Sequence, residues 1–157
     1  MKLDVYKHIY LIGVGGIGMS ALARYFNTQG KLVFGYDKVR SDLCVELENE
    51  GIVINYNDKV SNVPELIKYC ANSDILVIYT PAIPNHNQIL LYFLSKGLKV
   101  LKRAEVLGMI SKNIFTVAVA GTHGKTTTST MLGHIFKKAG KSSTAFLGGI
   151  SRNYNTN

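Results

Sequence analysis

Cysteine is scarce in this sequence: two in 157 residues, Cys44 and Cys70, with no CxxC pair. That excludes a disulfide framework, and both thiols read as small buried hydrophobes of a reducing compartment. There are three prolines and no low-complexity tract. Collagen, disordered chains and coiled coils are excluded on composition. No apolar run reaches the roughly 20 residues that a membrane-spanning helix needs. Acidic residues are also few, 10 against 18 Lys plus Arg, so the formal charge is +8. A basic surplus favours anionic partners. The basic residues are scattered, however, with no basic helix and no aromatic RNA-binding motif, so neither nucleic acid nor membrane is the expected partner. Lys2 and Lys7 precede an apolar stretch ending at Ala21-Leu22-Ala23, loosely like a secretion signal. Asp4 and four glycines inside the stretch argue against export, and a cytoplasmic protein is expected.

What is present is an ordinary globular mix, 46% hydrophobic, enough for one domain or one plus a fragment. Short β-type runs alternate with amphipathic segments. Strands are expected at His8–Ile12, Leu32–Tyr36, Ile52–Ile54, Ile75–Tyr79, Leu98–Leu101, Phe115–Ala120 and Ser143–Leu147. Helices are expected at Ile17–Gln29, from a Ser41 or Asp42 cap to Glu50, and at Val63–Cys70, Asn87–Lys96, Ala104–Ser111 and Lys125–Ala139. Ile75–Tyr79 is apolar throughout, as a strand buried on both faces should be. The alternation predicts an α/β fold: a Rossmann-like parallel sheet with helices on both faces. The polar break Ser111–Asn113 divides the chain into residues 1–111 and 112–157. The second piece opens another α/β unit with a strand, a phosphate loop and a helix. It has too few elements for its own sheet. Its apolar stripe (Met131, Leu132, Ile135, Phe136) is expected to dock on the first domain or on another copy.

Gly13-Val14-Gly15-Gly16-Ile17-Gly18 is a GxGxxG loop between a strand and a helix. The first glycine permits a tight turn, the second a close approach to pyrophosphate, and the third close helix–sheet packing. The helix N-terminus offers free N–H groups to an anion. Asp37 ends the next strand, where such folds place an acid on a ribose hydroxyl. Either NAD or a UDP-sugar fits this geometry. A second loop, Gly121-Thr122-His123-Gly124-Lys125-Thr126-Thr127, also joins a strand to a helix. It is a short GxxGKT variant of the ATP loop, with Val119 where the longer form has glycine. Its amides would cradle phosphates, Lys125 would bridge the β- and γ-phosphates, and the Thr126 hydroxyl would bind Mg²⁺. His123 faces a phosphate or merely fills a loop position. His8 and His134 read as packing or surface residues, and no metal-ligand cluster is spaced along the chain.

Taken together, Ile12–Ser20, Tyr79-Thr80-Pro81-Ala82-Ile83-Pro84, Arg103-Ala104-Glu105-Val106-Leu107 and Gly121–Thr128 resemble the Mur ligases of peptidoglycan synthesis. The histidine within GTHGKTT resembles this branch more than the folylpolyglutamate synthetases. The resemblance implies that the first domain binds UDP-N-acetylmuramate instead of NAD. Gly15, Gly16, Ile17 and Gly18 would face its pyrophosphate, Gly13 would bind the same UDP-sugar, Asp37 would face its uridine end, Thr80 the same cleft, and Arg103 a phosphate or carboxylate. It also implies that ATP phosphorylates the sugar's carboxylate and that L-alanine attacks the acyl phosphate. Lys125 and Thr126 would serve that step, and Gly121, Thr122, His123, Gly124 and Thr127 would hold ATP. The amino-acid site and further metal ligands would lie beyond Asn157, so residues 1–157 alone are expected to be inactive. A non-catalytic NAD-sensing domain is the alternative from another class.

Overall fold

The strand at the middle of the sheet is the first in the chain. β1 (His8–Ile12) pairs in parallel with β2 (Leu32–Tyr36) on one side and β4 (Ile75–Tyr79) on the other. β3 (Val53–Asn55) extends the sheet beyond β2, and β5 (Val100–Lys102) beyond β4. The order is therefore β3-β2-β1-β4-β5, all parallel. The structure is a computed structural model that describes residues 3–112 and 114–157. Lys2, and Asn113 of the expected break, lie outside the described residues.

Period-two alternation sends successive β1 side chains to opposite faces. Ile9 and Leu11 join Leu22 and Phe26 of α1 (Ile17–Thr28), Leu47 of α2 (Asp42–Asn49), and Val106 of α5 (Arg103–Ser111). Tyr10 and Ile12 face the other way, against Ile67 of α3 (Glu65–Tyr69) and Ile89 and Phe93 of α4 (Gln88–Ser95). Both faces are thus covered, as expected for a doubly wound sheet. In β4, Leu76, Val77 and Ile78 have no exposed surface. Each such side chain contributes about 1.5–3 kcal/mol on burial.

Local chemistry sets the helix ends. The Ser41 hydroxyl, not Asp42, caps α2 by accepting from the Cys44 N–H. The Asn87 side chain does the same for Leu90 at α4. The α3 helix is shorter than expected because Val63 precedes proline, which disfavours helical backbone, and Pro64 becomes the N-cap. β5 begins two residues late because the Leu98 N–H closes the end of α4 on the Phe93 carbonyl.

The two late strands do not form. Residues 115–120 and 143–147 are unpaired, and Phe115 is 92% exposed. A β-patterned segment needs a neighbour to complete its ladder, and no strand pairs with either segment among the described residues. The expected strand–loop–helix unit is present as loop and helix only. That helix, α6 (Lys125–Lys138), buries no residue, and Met131 and Ile135 are each 60% exposed. Of the expected docking stripe, Leu132 and Phe136 are partly buried while Met131 and Ile135 stay exposed, so α6 does not bury an apolar face as α1 does. The tail returns elsewhere. Phe146 packs on Tyr25, and the Asn157 side chain reaches Arg24, Ser20 and the Ile17 carbonyl on α1. Among the described residues no helix is long and apolar enough to cross a membrane.

Candidate functional site

In an open α/β sheet, ligands bind outside the carboxyl ends of the strands where the strand order reverses. Here that point lies between β1 and β4. Two segments meet over it: the glycine loop leaving β1, and the Thr80–Pro84 turn leaving β4. Gly13 takes a left-handed φ of +87°, and a Cβ there would stand 2.7 Å from the Thr80 methyl. The turn is closed by the Ile83 N–H on the Thr80 carbonyl. The two segments are therefore fitted to each other with no room for a side chain.

The loop is then tied to β2. The Gly15 N–H donates to Asp37 Oδ2 at 2.8 Å. The other oxygen, Oδ1, accepts from the Val39 N–H at 3.2 Å. A Cβ on Gly15 would stand 2.5 Å from the Cys44 sulfur and 2.9 Å from Asp37 Oδ2. Asp37 thus fixes the loop in addition to bordering the cleft. The cleft has a volume of about 840 Å³ and gathers Gly13, Gly15, Gly16, Asp37 and Thr80.

Its opposite wall was not anticipated from sequence. Tyr36 and Lys38 come from the end of β2, Tyr56 and Asp58 follow β3, and His86 and Asn87 follow the β4 turn. The signal available was positional, because each follows the carboxyl end of a strand. The Tyr56 hydroxyl donates to Glu48, which also pairs with Arg40 at 2.7 Å. Burial, with Asp58 and Asp37 nearby, raises the Tyr36 hydroxyl above its ordinary pKa.

Beside the cleft, Gly18 and Arg103 meet. A Cβ on Gly18 would collide with the guanidinium, so the glycine admits that group to the first turn of α1. Arg103 is half-buried and has no ion-pair partner among the described residues. The amides of Ile17 and Gly18 likewise meet no acceptor among them. Free amides, a helix N-terminus and a guanidinium together suit an anion. Neither Ile17, Gly18 nor Arg103 lines the cleft itself.

The second loop stands apart from this cleft. Gly121 and Gly124 have positive φ, +144° and +76°, and residues 121–128 are exposed. The Lys125 ammonium folds onto the loop, donating to the carbonyls of Gly121 at 2.6 Å and Thr122 at 3.1 Å. Among the described residues the amides of Lys125, Thr126 and Thr127 meet no acceptor, and His123 has no hydrogen-bond partner. Three free amides and an ammonium are donors from which a phosphate can accept, and the Thr126 hydroxyl oxygen is a ligand of the kind Mg²⁺ takes. No cluster of His, Cys, Asp or Glu able to hold a metal exists among the described residues.

The family model for the Mur ligase family, catalytic domain, matches residues 8–114. The chain belongs to the Mur ligase family. It is 52% identical over its whole length to a UDP-N-acetylmuramate–L-alanine ligase of Flavobacterium johnsoniae and 50% identical to that of Cytophaga hutchinsonii. It spans 34% and 33% of those proteins, about a third of their length. Among solved structures, the UDP-N-acetylmuramate–alanine ligase of Thermotoga maritima superposes with a TM-score of 0.84 at 32% identity. That match covers 96% of this chain and 34% of the Thermotoga chain. This Mur ligase segment therefore carries both glycine loops, one built into its sheet and one on its surface.

Proposed function

We propose that the chain is the N-terminal third of a cytoplasmic, ATP-dependent ligase of peptidoglycan synthesis that joins L-alanine to the carboxylate of UDP-N-acetylmuramate. Residues 1–111 form its UDP-sugar domain, and residues 112–157 begin its ATP domain. The reading is carried by identity of about half the residues along the entire chain to ligases of that name.

In this reading the pyrophosphate lies on the Gly13–Gly18 loop, beside the free amides of α1 and the Arg103 guanidinium. Asp37 faces the ribose, and Thr80 bounds the cleft. The carboxylate must be activated because its charge repels an amine and oxide is a poor leaving group. Phosphorylation by ATP gives an acyl phosphate, the alanine amine adds to its carbonyl, and phosphate departs. Gly121, Thr122, His123, Gly124 and Thr127 surround the ATP phosphates. Lys125 leaves its loop carbonyls to hold the transferred phosphoryl group. Mg²⁺, held at the Thr126 hydroxyl, would neutralise phosphate charge.

Calorimetry on residues 1–157 tests the first half of this proposal, with UDP-N-acetylmuramate, NAD and ATP as parallel ligands. Binding of the UDP-sugar without NAD is the expected result. Binding of NAD alone would overturn it in favour of a sensing domain. The same chain is expected to form no UDP-N-acetylmuramoyl-L-alanine from its three substrates, whereas the full-length protein does.

A further inference from the structure

We infer that Gly148 and Gly149 are positioning residues for Thr126: they admit the chain returning from α6 so closely that it fixes the direction of the Thr126 hydroxyl. The inference rests on the proposed role of residues 121–127 as the nucleotide loop.

Thr126, Thr130 and Gly133 recur along α6 at spacings of four and three, so they share a helix face. The returning chain lies against that face. A Cβ on Gly133 would stand 3.4 Å from the Ala145 methyl, an ordinary contact. Nearer the loop the fit tightens. A Cβ on Gly148 would stand 3.0 Å from Thr126 Oγ1, and one on Gly149 would stand 3.3 Å from Thr126 Cγ2. The two glycines thus bound the two branches of one β-branched side chain. Neither has the positive φ of Gly121 or Gly124. Space, not backbone conformation, is what favours glycine here. The Thr126 hydroxyl has no hydrogen-bond partner among the described residues, and its carbonyl accepts from Thr130 at 2.8 Å. Thr126 is exposed, so the chain at Gly148 and Gly149 is the neighbour that bounds the hydroxyl on this side. A methyl at either glycine would make the Thr126 side chain give by a few tenths of an ångström and so shift its oxygen from the position it holds here.

The test uses the full-length protein and equilibrium binding of a fluorescent ATP analogue, titrated with Mg²⁺. Gly148→Ala and Gly149→Ala are each expected to raise the Mg²⁺ concentration for half-maximal binding by about three- to tenfold, with metal-free binding unchanged. A merely structural role would lower the folded fraction, read by circular dichroism, and leave the Mg²⁺ midpoint in place. Thr126→Ser keeps the hydroxyl and deletes Cγ2. It should therefore rescue Gly149→Ala, whose methyl faces Cγ2, and not Gly148→Ala, whose methyl faces the oxygen. An unmoved Mg²⁺ midpoint in both folded variants, or equal rescue of both, would overturn the inference. Lys125→Ala separates the two readings. If it still binds the nucleotide as before, the nucleotide loop itself falls. If it loses binding while both glycine variants keep the original midpoint, only the glycine inference falls.

Discussion

The glycine loop after β1 and the glycine loop before α6 both lead extended chain into a helix, and their surroundings differ sharply. In the first, Gly13 abuts Thr80, Gly15 abuts Cys44 and Asp37, and Asp37 ties the loop to β2. The second touches little beyond itself. Its lysine rests on the loop's own carbonyls, and a Cβ on Gly124 would meet nothing within 4 Å. A glycine loop that follows a paired strand inherits its shape from the sheet. One that follows unpaired chain keeps, among the described residues, its own hydrogen bonds and the close approach of Gly148 and Gly149. The substitutions below probe that contrast, beginning with the largest expected effect.

Adding one methyl to each loop is the most direct test. Gly13→Ala combines a left-handed φ with a 2.7 Å collision, so strain and overpacking add to a loss of about 3 kcal/mol. Gly124→Ala has the left-handed φ alone and should cost about 1 kcal/mol. Urea denaturation measures both. Equal losses would erase the distinction between a built-in loop and a surface loop.

Next comes the tie. Asp37→Ala leaves the Gly15 and Val39 amides without their carboxylate, and about 1.5–2 kcal/mol should be lost in the absence of any ligand. If the ligand-free protein is as stable as before, Asp37 serves a ligand only. The corresponding change in the second loop, Lys125→Ala, should move stability by less than about 0.5 kcal/mol, because the ammonium is exposed and bonds only its own loop. A larger loss would show that the loop braces more of the chain than itself.

The contrast also explains what was legible in the sequence. The β1 loop could be read because strand, glycine spacing and Asp37 act within one βαβ unit, where local pattern decides the geometry. β4 could be read because burial on both faces leaves an unbroken apolar run. Residues 115–120 carry a comparable β-type pattern and form no strand, since such a pattern states a capacity to pair and not the presence of a partner. The far wall of the cleft escaped for a related reason. Tyr56, Asp58 and Asn87 become neighbours of the loop only through the strand order, which no local pattern encodes. Arg24 was likewise invisible, because its partners Glu46 and Glu50 lie on α2 and at its C-terminal cap.

The smallest expected effect concerns how the first loop's surroundings respond to acid. Glu48 accepts from the Tyr56 hydroxyl at the cleft wall and pairs with Arg40, and these contacts hold its carboxyl below the ordinary carboxylate range. A carboxylate depressed in the folded state adds stability above its unfolded pKa, about 4.3, and that stability is lost as the pH falls through the lower folded value. Glu48→Gln removes this contribution at neutral pH and has nothing to remove once the carboxyl is protonated. The urea midpoints of the two proteins should therefore be furthest apart near pH 7 and draw together towards pH 3. A gap that stays constant across that range would assign the effect of the substitution to packing around Tyr56 and not to charge. The cleft wall would then be as indifferent to acid as a surface built without that pair.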